Sequence, residues 1–382
     1  MNKLLKITWY ACLALLAGCI EPYDPKVDNR EINLLVVDGF INTSGVTTIK
    51  LSRAQTLTTK GGPPPETRAV VFIEEEGGRR YPLTEGAAGT YASAPLQLTP
   101  GRPVRLHLTT AGRREYASDY SRALVTPPID SISFRAGEGK LRLYVNTHDA
   151  LDQARHFRWS YEETWEFTSR FESQLMYRNN ALVPRTDNIY RCWGSELPST
   201  IVLGNTLRLS RNVVAEQPLT VLLDTSPKLF IKYSVLVRQY AVTPEEYAYW
   251  ELLRKNTEQL GTLFDPLPSQ LTGNVRSLSD PAEQVLGWVG AQSMTEQRRF
   301  IDRNDLPAGW PLVSGYEGCP LDTIPKPKVF PEPTLEEIIR SFSFGMMVPI
   351  SYNLTADEYY YSTVDCLDCR KRGNNARPSF WR

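Results

Sequence analysis

The sequence predicts an all-β fold: an N-terminal immunoglobulin-like β-sandwich followed by a larger β-rich C-terminal domain with a short helical insertion. Three observations predict it. Apolar residues alternate with polar ones over short stretches, as at Val104, Leu106 and Leu108. Turn residues recur every ~8–12 residues. Strong helix-start signals are few: a capping box begins at Thr243, and Thr334 repeats the pattern before a shorter helix. The 382 residues are enough for two such domains.

Residues 1–18 have the pattern of a lipoprotein signal peptide. Lys3 and Lys6 precede an apolar run at 7–17, which is too short to span a bilayer. The run leads into Leu16-Ala17-Gly18-Cys19. This looks like a bacterial lipobox, whose cysteine becomes the first mature residue and carries the lipid. We therefore expect cleavage after Gly18 and lipidation of Cys19. The alternative is an ordinary cleaved signal peptide with a chance cysteine.

Residues 19–31 are expected to form a lipid-anchored tether, because they are polar and contain Pro22 and Pro25. Ile20 stands at the position where an aspartate would retain a lipoprotein in the inner membrane. The expected location is therefore the outer membrane. A diacylglyceryl group with an N-acyl chain exceeds the two signals that stable anchoring needs. The sequence leaves open whether the chain faces the periplasm or the cell surface.

Residues 32–126 are predicted to form the immunoglobulin-like sandwich. A strand-like run at 34–41 precedes a hairpin partner at 47–52. Gly77-Gly78 predicts a two-residue hairpin turn, because both glycines tolerate positive φ. Thr126-Pro127-Pro128 stiffens the chain and marks the expected domain boundary.

Residues 127–382 are predicted to form the larger β-rich domain, with a helix near 244–260. Thr243, Pro244 and Glu246 make a complete capping box for this helix. Aromatic residues alternate with polar ones from 157 onwards, so we expect the aromatic side chains to face the core. The interspersed glutamates are then expected to face water; they are Glu162, Glu163, Glu166 and Glu172.

Four cysteines remain once the signal peptide and Cys19 are set aside: Cys192, Cys319, Cys366 and Cys369. An even number in an oxidising compartment predicts two disulfides with three possible connectivities. Cys366 and Cys369 could bridge to each other, which would leave Cys192 with Cys319. A four-cysteine zinc site is less favoured because only one CxxC pair is present. A redox motif is disfavoured by the absence of a strand-to-helix context.

The composition excludes some functions, and the motifs favour no enzyme. The 43 basic and 43 acidic residues balance, which argues against nucleic-acid binding. His148 and His156 lie eight positions apart, a spacing that does not suggest a metal site. We find no nucleophile elbow and no phosphate-binding glycine loop. The sequence therefore predicts no cofactor, no metal site and no catalytic residues.

The region from 157 to 193 is dense in aromatic residues. Most are expected in the core by alternation. Tyr190 and Trp193, beside Cys192, are the candidates for an exposed aromatic surface that binds a glycan or peptide ligand. This hypothesis rests on the density of aromatic residues alone.

Several segments together resemble one protein family. They are Leu35-Val-Val-Asp-Gly, Tyr116-Ala-Ser-Asp-Tyr, Tyr233-Ser-Val-Leu-Val-Arg-Gln-Tyr, Cys366-Leu-Asp-Cys369-Arg and Pro378-Ser-Phe-Trp381. With the lipobox, they resemble Bacteroidota outer-membrane lipoproteins of the domain-of-unknown-function family numbered 4249. Ser379 departs from the acidic residue that the family favours. The resemblance implies an accessory lipoprotein, often encoded beside a TonB-dependent transporter, and no established activity.

We accordingly expect a non-enzymatic outer-membrane lipoprotein that serves as accessory or ligand-capture partner of a TonB-dependent β-barrel transporter. The alternative is a stand-alone surface lipoprotein that binds glycans or acts as an adhesin. Both expectations place the lipid on Cys19 in the outer membrane.

Overall fold

The computed structural model describes residues 33–56, 59–258, 271–324 and 334–382. The predicted signal peptide, the lipidation site Cys19 and the whole tether at 19–31 lie outside these ranges, as does the predicted helix stop at Gly261. Within the described ranges, no helix combines the length and apolar character that a membrane-spanning helix needs.

The N-terminal part of the chain forms one continuous sheet of eleven strands. Eight of them come from this part: β1 (Leu35–Asn42), β2 (Thr48–Arg53), β3 (Val70–Glu75), β4 (Arg80–Glu85), β5 (Thr90–Ser93), β6 (Pro103–Thr109), β7 (Glu115–Ser118) and β8 (Ser121–Arg122). Gly77 and Gly78 connect β3 to β4 with φ angles of 108° and 96°, which confirms the predicted hairpin.

The second part of the chain contributes two further sheets and several short elements. Its strands before the long helix are β9 (Ile129–Gly137), β10 (Lys140–His148), β11 (His156–Thr168), β12 (Leu175–Arg178), β13 (Ala181–Pro184), β14 (Arg191–Glu196), β15 (Val202–Asn205), β16 (Val213–Leu223) and β17 (Lys232–Ala241). A single turn of 3₁₀ helix, Pro227–Leu229, precedes β17. Helix α1 spans Pro244–Glu258, in the segment where the sequence predicts a helix.

The remaining strands return to three different sheets. They are β18 (Val275–Ser277), β19 (Val285–Leu286), β20 (Ala291–Gln292), β21 (Met294–Asp302), β22 (Asp322–Ile324), β23 (Met347–Asn353) and β24 (Glu358–Thr363). The short helices are α2 (Leu335–Ser341) and α3 (Val364–Leu367), with 3₁₀ turns at Arg303–Asp305, Phe342–Phe344 and Cys369–Lys371.

The first sheet is completed by strands that come from late in the sequence. Its order is β18-β7-β6-β3-β4-β5-β2-β1-β19, with β8 beside β6 and β20 beside β1. The end strands β18 and β19 lie against each other, so the sheet curls around one core. Val275, Val285 and Ala291 are part of that core. The predicted division after residue 126 is therefore corrected: the first unit also needs residues 275–292.

The second unit is a sandwich of two antiparallel sheets. One has the order β16-β10-β9, and the other has the order β14-β11-β17-β21 with β15 beside β11. Their shared core includes Leu143, Phe157, Trp159, Val235 and Val237. A three-stranded sheet, β22-β24-β23, and the hairpin β12-β13 complete the architecture. The prediction of a mainly β fold with a short helical insertion is confirmed.

The predicted boundary at Thr126-Pro127 is a buried joint. The Thr126 N–H donates to Ser293 Oγ at 2.8 Å, and the Ala241 N–H donates to Thr126 Oγ at 3.0 Å. Gln239 Nε2 donates to the Pro127 carbonyl at 2.8 Å. These bonds connect the two units through groups that are shielded from water, where each lost bond is costly.

Candidate functional site

A cleft of about 660 Å³ lies between the two β units. Six separate parts of the chain line it: residues 119–124, 153–156, Leu207, 242–245, Asn274 and Trp288. A cavity of this size at a junction between two structural units is the usual setting of a small-molecule site. We refer to it below as the inter-unit cleft.

Tyr120 is the most exposed aromatic residue of the inter-unit cleft, with 42% of its surface accessible. The turn between β7 and β8 presents it, and the Arg105 guanidinium lies over its ring at 4.6 Å from the centroid. The preceding residue fixes this turn, because the Asp119 N–H donates to the Asn274 carbonyl at 2.8 Å. The ring is therefore held in place while much of it faces solvent.

Trp288 is positioned by a buried asparagine. Asn274 Nδ2 donates to the Val289 carbonyl at 2.9 Å, and Asn274 Oδ1 accepts from the Val289 N–H at 2.8 Å. This two-way contact fixes the backbone next to Trp288, whose half-buried ring packs against Tyr249 at 5.4 Å. The first unit thus contributes two aromatic side chains to the inter-unit cleft.

Arg155 on the opposite wall is held in one orientation. Its guanidinium donates to the carbonyls of Thr206 and Leu209 at 3.2 and 3.3 Å, and to the Asp152 carboxylate at 2.6 Å. The neighbouring Gln153 is exposed. This wall therefore offers two kinds of hydrogen-bonding group: the Arg155 guanidinium, which is held by the protein, and the exposed Gln153 amide.

His156 is 8% exposed and packs against the Tyr247 ring at 5.0 Å. Burial lowers its pKa below the ordinary value, against a smaller opposing effect of Glu245. The imidazole is therefore neutral at pH 7, so it can both donate and accept a hydrogen bond.

Helix α1 begins at the inter-unit cleft with only half of the predicted capping box. Thr243 Oγ accepts from the Glu246 N–H at 3.2 Å, as a cap requires. The Glu246 carboxylate does not return to the cap: its Oε1 accepts from Trp250 Nε1 at 3.2 Å, and the residue is 2% exposed. Glu245 stays exposed at the cleft margin.

Arg158 and Glu246 belong to a buried polar cluster beside the inter-unit cleft. The Arg158 guanidinium lies between the rings of Tyr240 and Trp250, at 4.4 Å from each centroid. Burial raises the pKa of Glu246, whereas the positive charge of Arg158 lowers it to a lesser extent. Gln292 of β20 is fully buried next to them. The cluster therefore joins elements of both units.

The predicted aromatic surface at Tyr190 and Trp193 is not formed. Trp193 lies in β14, is 8% exposed and packs edge-to-face on Trp381 at 6.5 Å. Tyr190 is half-buried and borders a different cavity of about 340 Å³ with Asp187. This hypothesis for Trp193 is wrong because the C-terminal tail covers the strand that carries it.

The two predicted disulfides are present, and their pairing excludes a CxxC bridge. Cys192 pairs with Cys369, and Cys319 pairs with Cys366. The expectation that Cys366 and Cys369 could pair with each other is therefore wrong. Cys192 and Cys369 are fully buried in a small core with Phe167.

The expectation that the glutamates of β11 face water is wrong for Glu163 and Glu166. Glu163 is 3% exposed and accepts from Tyr233 Oη at 2.7 Å and Lys228 Nζ at 2.6 Å. Glu166 is 7% exposed and accepts from Trp381 Nε1 at 2.9 Å. Both faces of β11 are covered by other elements. The alternation of residues along this strand therefore does not distinguish a solvent-exposed face from a buried one.

The histidines named by the sequence are not brought together. His148 is exposed and its Nδ1 contacts the Asp130 carboxylate at 2.8 Å, whereas His156 lines the inter-unit cleft. Among the described residues, no group of three or more potential metal-ligating side chains occurs. The sequence did not point to Tyr120, Arg122 and Trp288 as site residues, because they lie in loops or, for Arg122, in the two-residue strand β8, and share no motif.

Comparisons with known proteins give a family and no activity. No curated protein matches the chain. A two-domain fibronectin type III segment of chicken tenascin is 14% identical and covers 54% of this chain and 90% of its own, with a TM-score of 0.16. The adhesin InvE of Yersinia pseudotuberculosis is 13% identical and covers 55% of this chain and 57% of its own, with a TM-score of 0.17. Similarities this low carry no argument about function. Residues 20–298 match the model of a domain of unknown function, and the chain therefore belongs to the DUF4249 family.

Proposed function

We propose that this protein is a non-enzymatic, lipid-anchored lipoprotein of the outer membrane of a Bacteroidota bacterium. In this role it captures a ligand for a TonB-dependent β-barrel transporter. The observation that carries the proposal is Leu16-Ala17-Gly18-Cys19 at the end of the apolar run 7–17. This pattern suits lipid attachment to Cys19, and two or more acyl chains give stable membrane binding.

The inter-unit cleft supports ligand capture. Its walls carry two aromatic rings, Tyr120 and Trp288, and a guanidinium that the protein itself holds in place, Arg155. Preorganised side chains lower the entropy cost of binding. The other charged side chains of the cleft, Asp119, Arg122 and Glu245, are exposed to solvent. This exposure suits reversible binding and release of a ligand.

Lipidation is tested by mass spectrometry of the protein extracted from membranes of its own host. We expect a mature chain that begins at Cys19 and carries diacylglyceryl and N-acyl groups. The Cys19→Ala variant should lose the lipid and leave the membrane fraction. Cys12→Ala is the matched control, because Cys12 lies inside the predicted signal peptide and should not affect lipidation. Retention of Cys19→Ala in the membrane would contradict the anchor.

The partner is tested by purifying a tagged full-length chain in a mild detergent. We expect a large β-barrel protein to co-purify in a fixed ratio. Repeated recovery of the lipoprotein alone would contradict the accessory role and favour a stand-alone glycan-binding lipoprotein or adhesin. Protease treatment of intact cells distinguishes the two membrane faces, because only a surface-exposed chain is cleaved.

A further inference from the structure

Three main-chain amides along the inter-unit cleft are already engaged within the protein. The Asp119 N–H donates to Asn274, the Leu124 N–H donates to Ala291, and the Val242 N–H donates to His156. Peptides that bind as an added strand need unpaired main-chain groups on the receptor. Recognition in this cleft therefore falls to side chains, which disfavours an extended peptide as the ligand.

The charged side chains of the inter-unit cleft balance. Arg122 and Arg155 are positive, and Asp119 and Glu245 are negative. His156 is neutral at pH 7 because burial lowers its pKa. A cleft whose charged side chains include both signs in equal number has no excess of one sign that would concentrate a strongly charged ligand. This arrangement favours a neutral ligand that offers many hydrogen-bonding groups.

The aromatic rings of the inter-unit cleft set a second requirement for its ligand. Tyr120 and Trp288 come from the first unit, whereas the hydrogen-bonding groups of Gln153 and Arg155 come from the second. A ligand that fills the cleft therefore needs apolar faces for the rings and polar edges for the opposite wall. The volume of about 660 Å³ lies within the range of small-molecule sites, about 300–1,000 Å³.

We propose that the inter-unit cleft binds a neutral oligosaccharide. A pyranose ring presents C–H groups on its faces and hydroxyl groups around its edge, which matches aromatic residues on one wall and amide, guanidinium and carboxylate groups on the other. Tyr120 and Trp288 stack on the sugar faces, and Gln153, Arg155 and Glu245 bind the hydroxyls. The inference names the ligand class for the capture role proposed above and rests on that role.

The test measures binding of short neutral oligosaccharides to the full-length protein in detergent, by a glycan array and then by calorimetry. Tyr120→Ala removes an exposed ring and should weaken binding by about 10-fold or more. Tyr352→Ala is the matched control: Tyr352 is similarly exposed, at 39%, and lies in β23 outside the inter-unit cleft. It should bind as the unaltered protein does.

Three outcomes would overturn the proposal. Absence of binding to any neutral oligosaccharide would exclude the ligand class. Tighter binding of a short-peptide mixture in the same assay would identify a peptide, and not an oligosaccharide, as the ligand class. Equal affinity of Tyr120→Ala and Tyr352→Ala for the oligosaccharide would show that the ligand binds outside the inter-unit cleft. Co-purification with a β-barrel is measured separately. A negative result for oligosaccharide binding therefore does not contradict the transporter role, and a negative result for co-purification does not contradict oligosaccharide binding.

Discussion

The Glu246 carboxylate lies directly against the backbone of Gly290. A Cβ atom added to Gly290 would stand 2.0 Å from Glu246 Oε2 and 2.7 Å from Gln292 Oε1. Glu246 belongs to helix α1, and Gly290 directly precedes β20 of the first sheet. The absence of a side chain at position 290 therefore lets the two units approach.

Gly290→Ala should destabilise the fold by about 2–3 kcal/mol, because overpacking a buried site forces neighbouring groups apart. Urea unfolding measures the change. Gly137→Ala is the control, since an added Cβ there meets nothing within 4 Å. Glu246→Ala combined with Gly290→Ala should cost less than the sum of the two single changes. Strict additivity would show that the carboxylate is not what the added methyl group contacts.

Glu246→Gln should stabilise the protein at neutral and alkaline pH, and less so in acid. Burial raises the pKa of Glu246 in the folded state, so folding favours the protonated form. The contribution of the wild-type carboxyl is complete below its unfolded pKa of about 4.3 and is lost as pH rises through the raised folded pKa. The gain in melting temperature should therefore be larger at pH 8 than at pH 4.5.

Glu245→Gln is the control for this pH series, because Glu245 is the exposed neighbour on the same helix turn. Its melting temperature should follow that of the wild type. A Glu246→Gln variant that is less stable than the wild type at pH 8 would mean that the attraction of Arg158 outweighs the cost of burying the carboxylate.

Lys228→Met should destabilise the second unit. Burial alone would lower the pKa of Lys228, but hydrogen bonds from its ammonium group to Glu163 and Glu196, each at 2.6 Å, raise it overall. Removing the ammonium group leaves the buried Glu163 without a counter-ion. We expect a loss of about 2–3 kcal/mol, below the cost for a fully buried pair because Lys228 is partly exposed.

The exposed Lys140 of β10 provides the comparison for Lys228. Lys140→Met should change the free energy of unfolding by less than about 0.5 kcal/mol. Equal effects of the two variants would contradict the role given to the Lys228 ammonium group.

Removal of the Cys192–Cys369 disulfide should cost more stability than removal of the Cys319–Cys366 disulfide. The bridged residues are 177 positions apart in the first case and 47 in the second. A longer closed loop restricts the unfolded chain more, by about 1 kcal/mol for this difference. Two double variants, each with both cysteines of one disulfide changed to alanine, measure this difference in the free energy of unfolding by urea. Non-reducing peptide mapping checks the connectivity, and recovery of a Cys366–Cys369 peptide would contradict it.

Local patterns in the sequence are sufficient to predict the structural features that depend on residues close together in the chain. Gly77-Gly78 predicts its hairpin because positive φ is a property of those two positions. Thr243-Pro244 predicts the start of α1 because capping involves groups three residues apart. The mainly β fold follows in the same way from short alternating stretches separated by turns.

Long-range features could not be predicted from such patterns. The strands at 275–292 join a sheet whose other strands end at residue 122, and no local signal specifies a partner that distant. The burial of Glu163 depends on Tyr233 and Lys228, which are contributed by other elements. The inter-unit cleft has the same origin, because its walls meet only after both units have folded and packed together.

The parallel pairing of β1 with β19 and β20 also has a consequence for the order in which the chain acquires structure. Synthesis delivers β1 early and its two parallel neighbours, β19 and β20, only after every strand of the second sandwich except β21 has been made. Until residue 292 is available, one edge of β1 lacks the strands that cover it, and such an edge invites pairing with other chains. The first unit therefore cannot reach its final form until residue 292 has been made, and the nascent chain depends on late segments to protect one of its earliest strands.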